Sequence, residues 1–121
     1  KPRALAPGVY GLSNHLLDSP WPKLLAARQA FSEALPDLPD TEAFFRLLAD
    51  EQIVPDENLP NTGVPLAWER LLSAVFVKSE NYGTRASTLA WQHRNGDVTV
   101  RERSFGPYGQ PLQSSAISTT E

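Results

Sequence analysis

The side chains able to act as nucleophile, base or metal ligand near neutral pH are few: the chain has two histidines, His15 and His93, and no cysteine. Without thiols there is no thiolate nucleophile, no zinc–thiolate centre and no disulfide framework within these 121 residues, and the cytoplasm is the expected compartment. No carboxylates gather beside either histidine at metal-ligand spacing, so both read as surface or strand residues and no metal is expected. The acidic pairs Asp50-Glu51 and Asp56-Glu57 fall in loop or helix-end sequence, where solvated charge accounts for them. No phosphate loop, Gly-x-Ser-x-Gly elbow or His-Glu-x-x-His helix occurs, and no cofactor is implied.

The elements that would position such residues are legible from spacing. Gly8-Val9-Tyr10-Gly11-Leu12-Ser13-Asn14 is glycine-punctuated and rich in strand formers, which predicts a strand running into a polar turn. Asp18-Ser19-Pro20 offers an N-cap and a helix-opening proline, and Leu24, Ala27, Phe31 and Leu35 share one face of a helix over about 20–35. Lys23 falls in the first turn and is expected on the surface, while Tyr10 and Trp21 are expected in the core. Pro36 and Pro39 end the helix, and Asp40 can cap a second one whose stripe is Phe44, Leu47 and Leu48 and whose end lies near Asp50. Residues 51–64 read as a surface loop. Pro65 opens a third helix with Trp68, Leu71 and Leu72 facing inward; Val75-Phe76-Val77 suits either a short strand or the last turn of that helix.

The clearest signal lies between Thr84 and Phe105, where two extended runs flank Asn95-Gly96, the dipeptide that best tolerates the positive φ angles of a type I′ turn. A two-residue turn there sets Trp91 opposite Val100 and Leu89 opposite Glu102 on one face, with Ala90 opposite Arg101 on the other. The first strand is then apolar on both faces near its middle, as a covered sheet requires. From Gly106 onward Gly, Pro, Gln, Ser and Thr dominate. The last ten residues are expected as a frayed tail, with 1–7 and 107–121 flexible around a single domain or subdomain.

Composition bounds the function classes. A net charge of −3 without a basic cluster gives nothing to neutralise a string of phosphates, so no nucleic-acid partner is expected. No apolar run approaches the ~20 residues of a membrane span. The hydrophobic fraction of 40% suits a globular core. Numbering that starts at Lys1 and a chain without methionine suggest a piece of a longer protein, although Lys1–Pro7 lack the apolar stretch of a signal peptide.

Three segments are more specific than composition alone would give: Gly8 to Asn14 with its continuation Asp18-Ser19-Pro20-Trp21-Pro22-Lys23, Tyr82-Gly83-Thr84-Arg85-Ala86-Ser87-Thr88, and Arg101-Glu102-Arg103-Ser104-Phe105. With Leu59 to Val64 and Trp68 to Leu72 between them, they resemble the second half of the NRDE (transport and Golgi organisation 2) family over residues 6–106. Ala86 departs from the serine commoner in that pattern, and the family's N-terminal half, with its leading cysteine and Asn-Arg-Asp-Glu stretch, has no counterpart here. The resemblance implies an α+β fold, part of an αββα sandwich like that of the N-terminal nucleophile hydrolases, in which an amino-terminal residue attacks an amide. Under that analogy Asn14 supplies an oxyanion-hole amide and Arg85 orients the nucleophile or stabilises negative charge, both as supporting residues in a fragment inactive by itself. The residues also allow plainer roles: Asn14 satisfying backbone groups of its own turn, and Arg85 pairing with Glu102. The implied alternative is non-catalytic handling of a small hydrophobic ligand or haem, for which His15 and His93 are the imidazole candidates. Unmet sheet edges would call for the missing N-terminal half as partner, or for self-association.

Overall fold

A computed structural model describes residues 1–119 of the chain. Among these residues three α-helices, α1 (Pro22–Ala34), α2 (Glu42–Leu48) and α3 (Leu66–Leu72), precede three strands, β1 (Ala86–Gln92), β2 (Val98–Phe105) and β3 (Pro111–Ser118). The strands form one antiparallel sheet in the order β1-β2-β3, and the fold is α+β.

Each helix boundary follows from a local competition for backbone groups. α1 starts at Pro22 rather than at Pro20, because Trp21 is the extended N-cap residue. Neither of the expected capping side chains is free: Ser19 Oγ donates to the Leu16 carbonyl at 2.8 Å, and Asp18 Oδ1 accepts from Gly11 N–H at 2.6 Å. Asp40 does act at the next helix start, where its Oδ1 accepts from Glu42 N–H at 3.0 Å, and α2 stops at Leu48, two residues short of Asp50. Pro65 is the N-cap residue of α3. That helix turns differently from expectation: Trp68 is 42% exposed and packs edge-on against Tyr82 at 5.4 Å, while Glu69 is the buried residue. Glu69 tolerates burial because its Oε1 accepts from both Thr62 N–H, at 2.8 Å, and Thr62 Oγ1, at 2.7 Å.

The buried apolar residues are Leu24 and Ala34 from α1, Phe44 and Phe45 from α2, and Ala74, Phe76 and Val77 from the segment after α3. Phe31 meets Phe44 edge-on with centroids 5.0 Å apart and joins α1 to α2. Val75-Phe76-Val77 is neither strand nor helix but a bend leading into irregular chain, tied by Phe76 N–H to the Asp50 carbonyl at 2.7 Å. Phe76 also meets Phe105 edge-on at 4.9 Å, which brings the end of β2 into the core.

The hairpin forms where Asn95-Gly96 predicts it, in a different register. Leu89 pairs with Arg101, Ala90 with Val100 and Trp91 with Thr99. His93 N–H donates to the Asp97 carbonyl and Gly96 N–H to the His93 carbonyl, so the loop holds Arg94, Asn95 and Gly96, with Gly96 at φ 95°. A turn of this length with a left-handed glycine at its end shifts the pairing by one residue relative to a two-residue turn, and that shift reverses the face of every β2 side chain. Arg101 and Arg103 consequently point at α2. Arg101 Nη1 donates to Thr41 Oγ1 at 2.9 Å, Arg103 Nη2 to Glu42 Oε1 at 2.6 Å, and the Arg103 guanidinium lies 3.8 Å from the Phe45 ring centroid. The other face carries Ala90, Val100 and Ile117, the last 72% exposed.

Two further expectations are corrected. Residues 8–14 make no strand: among the described residues they have no ladder partner, and Tyr10 is 40% exposed, donating its hydroxyl to the Ala6 carbonyl at 2.6 Å. The expected tail is strand β3 up to Ser118, paired with β2 from Thr99 to Phe105. Its side chains are all exposed, so no apolar alternation marks it, and backbone pairing to β2 is what holds it. Residues 120 and 121 of that tail lie outside the described residues.

Replacing Phe45 by alanine removes the ring beneath Arg103 and is expected to cost about 3–5 kcal/mol in urea unfolding; a loss below ~1 kcal/mol would show that α2 does not anchor the sheet. A second expectation concerns acid. The Gly11 N–H, with help from Arg28, holds the Asp18 carboxyl below the usual carboxylate range. Its folded pKa is thus lower than its unfolded one, so its contribution is complete above about pH 4 and disappears as pH falls through the folded value. The melting temperature of the parent chain should therefore fall more steeply than that of Asp18→Asn between about pH 5 and pH 2. Parallel curves would contradict this.

Candidate functional site

The site is built outward from a clamped loop. Asp18 sits at φ 56°, and with Gly11 it forms two hydrogen bonds, Gly11 N–H to Asp18 Oδ1 at 2.6 Å and Asp18 N–H to the Gly11 carbonyl at 2.7 Å. Arg28 on α1 reaches the same carboxylate at 3.1 Å. A Cβ on Gly11 would lie 2.6 Å from Leu24 Cδ2, so any larger residue there would have to displace the Leu24 side chain on α1. Ser13, Asn14 and His15 are held between these fixed points, over the start of α1.

Two adjoining cavities open there. One, of about 830 Å³, lies between the loop, the start of α1, the 54–62 segment and α3; the other, of about 380 Å³, lies between the loop, α1 and the end of α2. Asn14, Trp21 and Lys23 line both and so form the wall between them. The larger cleft has apolar surface from Trp21, Pro60, Leu72, Val77 and Tyr82. Its volume suits a small organic molecule.

The polar groups in and behind the cleft have distinct capacities. Ser19 and His15 are a hydrogen-bonded pair at 2.9 Å, which superficially suggests an activated hydroxyl. The single hydroxyl proton of Ser19 already goes to the Leu16 carbonyl, so Ser19 accepts from His15 Nδ1–H and is not activated as a nucleophile. The imidazole is thereby fixed, and its ring lies 5.7 Å from that of Trp21. The Thr62 hydroxyl, then its backbone N–H, hold the Glu69 carboxyl below its ordinary value, so it stays ionised. Lys23, expected on the surface, is half-buried, and its Nζ donates to the Leu72 carbonyl at 2.7 Å. Burial pushes its pKa below the usual lysine value. Spacing along the sequence carried no signal for this, because the covering residue is 49 positions away.

The two residues singled out from sequence part company. Asn14 is exposed at the rim of both cavities, and its carboxamide has no hydrogen-bond partner among the described residues, so it does not serve to satisfy its own turn. Arg85 is exposed at the start of β1, beside a recess of about 10 Å³ that is too small for a ligand. It does not pair with Glu102, whose Oε2 accepts instead from Thr88 Oγ1 at 2.7 Å; the Arg85 carbonyl accepts from Phe105 N–H at 2.8 Å. No cavity described here contains both residues, although Tyr82 lines the recess of one and the cleft of the other. His93 stands on the hairpin, bonded to Thr99 Oγ1 at 3.0 Å, away from the cleft. Among the described residues no group of acids and histidines could hold a metal ion, and no helix is long and apolar enough to cross a membrane.

The arrangement can hold a small molecule between an apolar flank and a few amide, imidazole and ammonium groups. Among the described residues Ser19, the hydroxyl bonded to His15, is not activated as a nucleophile. The family model described as Transport and Golgi organisation 2 matches residues 1–107. A Transport and Golgi organization protein 2 homolog from Bos taurus is 41% identical over 114 residues, which are 87% of this chain and 41% of that protein. The Mus musculus homolog is 40% identical over 114 residues and the Homo sapiens homolog 37% over 113. The chain spans about 41% of the length of these relatives. Matched over nearly its whole length by the family model, it belongs to the Transport and Golgi organisation 2 family.

Proposed function

We propose that this chain supplies the binding wall of a small-molecule site, and that the protein handles a small hydrophobic ligand without transforming it. The observation that carries this reading is the cleft of about 830 Å³, with an apolar flank at Trp21, Leu72, Val77 and Tyr82. Sites of this size and lining are where small organic ligands bury most of their surface. Cytoplasmic residence belongs to the same proposal.

A second reading, amide hydrolysis by an N-terminal nucleophile mechanism, draws support from Asn14. Its unpartnered carboxamide at the cleft rim is available to a developing oxyanion. In that reading the nucleophile belongs to the part of the relatives' length that this chain does not span, and Arg85 assists from β1. The open face of the sheet, with Ala90, Val100 and Ile117, is then where that further length packs, completing an αββα sandwich. Self-association through the outer backbone edge of β3 is a separate alternative, because it uses the side of the sheet and not its open face.

Nile red, a neutral dye, should bind the chain saturably, and Asn61→Trp, which fills the cleft from its exposed rim, should weaken that binding at least about tenfold. Dye binding unchanged by Asn61→Trp would place the dye elsewhere and sink the ligand-handling reading. The hydrolase reading has its own measurement: in a family protein carrying an amino-terminal cysteine ahead of these residues, Asn14→Ala should lower kcat about 10²-fold or more. An unchanged kcat removes Asn14 from the mechanism.

A further inference from the structure

We propose that Lys23 is the anion anchor of the larger cleft, and that the ligand it selects is an amphipathic carboxylate, an apolar body ending in a single carboxyl group. This rests on the ligand-handling reading and adds to it the chemical class of the ligand.

The argument starts from an unmatched charge. An ammonium has three donors, and Lys23 Nζ commits one, to the Leu72 carbonyl at 2.7 Å. Among the described residues no carboxylate pairs with it: the ion pairs are those of Arg28, Arg70, Lys78 and Arg103. Half-burial strips water from the charge without supplying a counter-ion, and a charge so placed is costly unless something pairs with it. Two donors remain for an incoming acceptor.

The start of α1 has the same sign. Lys23 stands in the first turn of α1, which contains no acidic residue and receives no side-chain cap, so the positive end of the helix adds to the ammonium. The unpartnered Asn14 carboxamide shares the wall with it and can donate to the second carboxylate oxygen. The apolar character of the ligand follows from Trp21, Leu72, Val77 and Tyr82 along the same cleft. Its charge is limited as well. Glu69 lines the cleft and stays ionised under the Thr62 hydrogen bonds, so any anion meets that carboxylate, and Lys23 balances the one charge of a monoanion but leaves the second charge of a phosphate ester uncompensated.

The test compares 2-naphthoate with its neutral isostere 2-naphthamide, each titrated into the chain by calorimetry. The inference expects the acid to bind at least about tenfold more tightly than the amide, the size of one charge-assisted hydrogen bond. Lys23→Met, which keeps the stem and removes the charge, should bring the acid down to the affinity of the amide, and Lys23→Arg should restore it to within about threefold. Equal binding of acid and amide to the parent chain overturns the inference while leaving the cleft as an apolar site, and it does so whether or not the variants fold. Undiminished acid binding by Lys23→Met with an unchanged melting curve overturns it too. If neither compound binds, the ligand-handling reading falls and the inference falls with it.

Discussion

The guanidinium of Arg103 rests 3.8 Å from the centre of the Phe45 ring, with Glu42 at its far side, and this contact joins the two kinds of secondary structure in the chain. Phe45 is 4% exposed, so the ring has a large apolar area to bury and the cation covers what the sheet leaves open. α2 is in turn fixed to α1 through Phe44 and Phe31, and α1 holds the 11–18 loop through Arg28 and Asp18. The cleft thus inherits its shape from a chain of contacts that begins on β2. A sheet docked by arginines rather than by a continuous apolar layer explains how strands with so many polar residues can belong to a folded core.

Within the cleft, two ionisable groups show opposite solutions to burial. Glu69 is enclosed together with the hydroxyl and the N–H of Thr62, so its negative charge has donors supplied from seven residues away. Lys23 is enclosed with one carbonyl. The first arrangement is self-sufficient and reads as part of the framework holding the 54–62 segment against α3. The second leaves donors facing the cavity, and that asymmetry gives the cleft a polarity that its apolar flank alone would not.

Much of the architecture was legible in the sequence, and the failures share a cause. The first and third helices are announced by proline and apolar spacing, although the first starts at Pro22, two residues after the proline expected to open it, and the hairpin is announced by Asn95-Gly96, because these signals act within a few residues. The register was not legible, since Asn-Gly serves two-residue turns and longer ones alike and only the Asp97–His93 bond decides between them. β3 was missed because every side chain on it is exposed. Gly8–Asn14 has the composition of a strand, yet a strand needs a neighbour, and among the described residues it has none. In the cleft, Asn14 was visible through family resemblance, whereas Lys23 is made distinctive by Leu72 and Glu69 by Thr62, matters of packing rather than of pattern.

The sheet order has a consequence for how the chain reaches its shape. Strands that neighbour in space also follow one another in sequence, so each pairing closes only a short loop and needs little loss of chain entropy. The contacts of Arg101 and Arg103 with Thr41 and Glu42 close loops of about sixty residues, as their separations of 60 and 61 show. The three-stranded sheet is therefore a unit that can assemble by local steps, with the helical half captured afterwards by two arginines presented on one of its faces. The one-residue shift at Gly96 then acquires a kinetic meaning: by setting which face those arginines occupy, the turn decides on which side of the sheet the helices arrive.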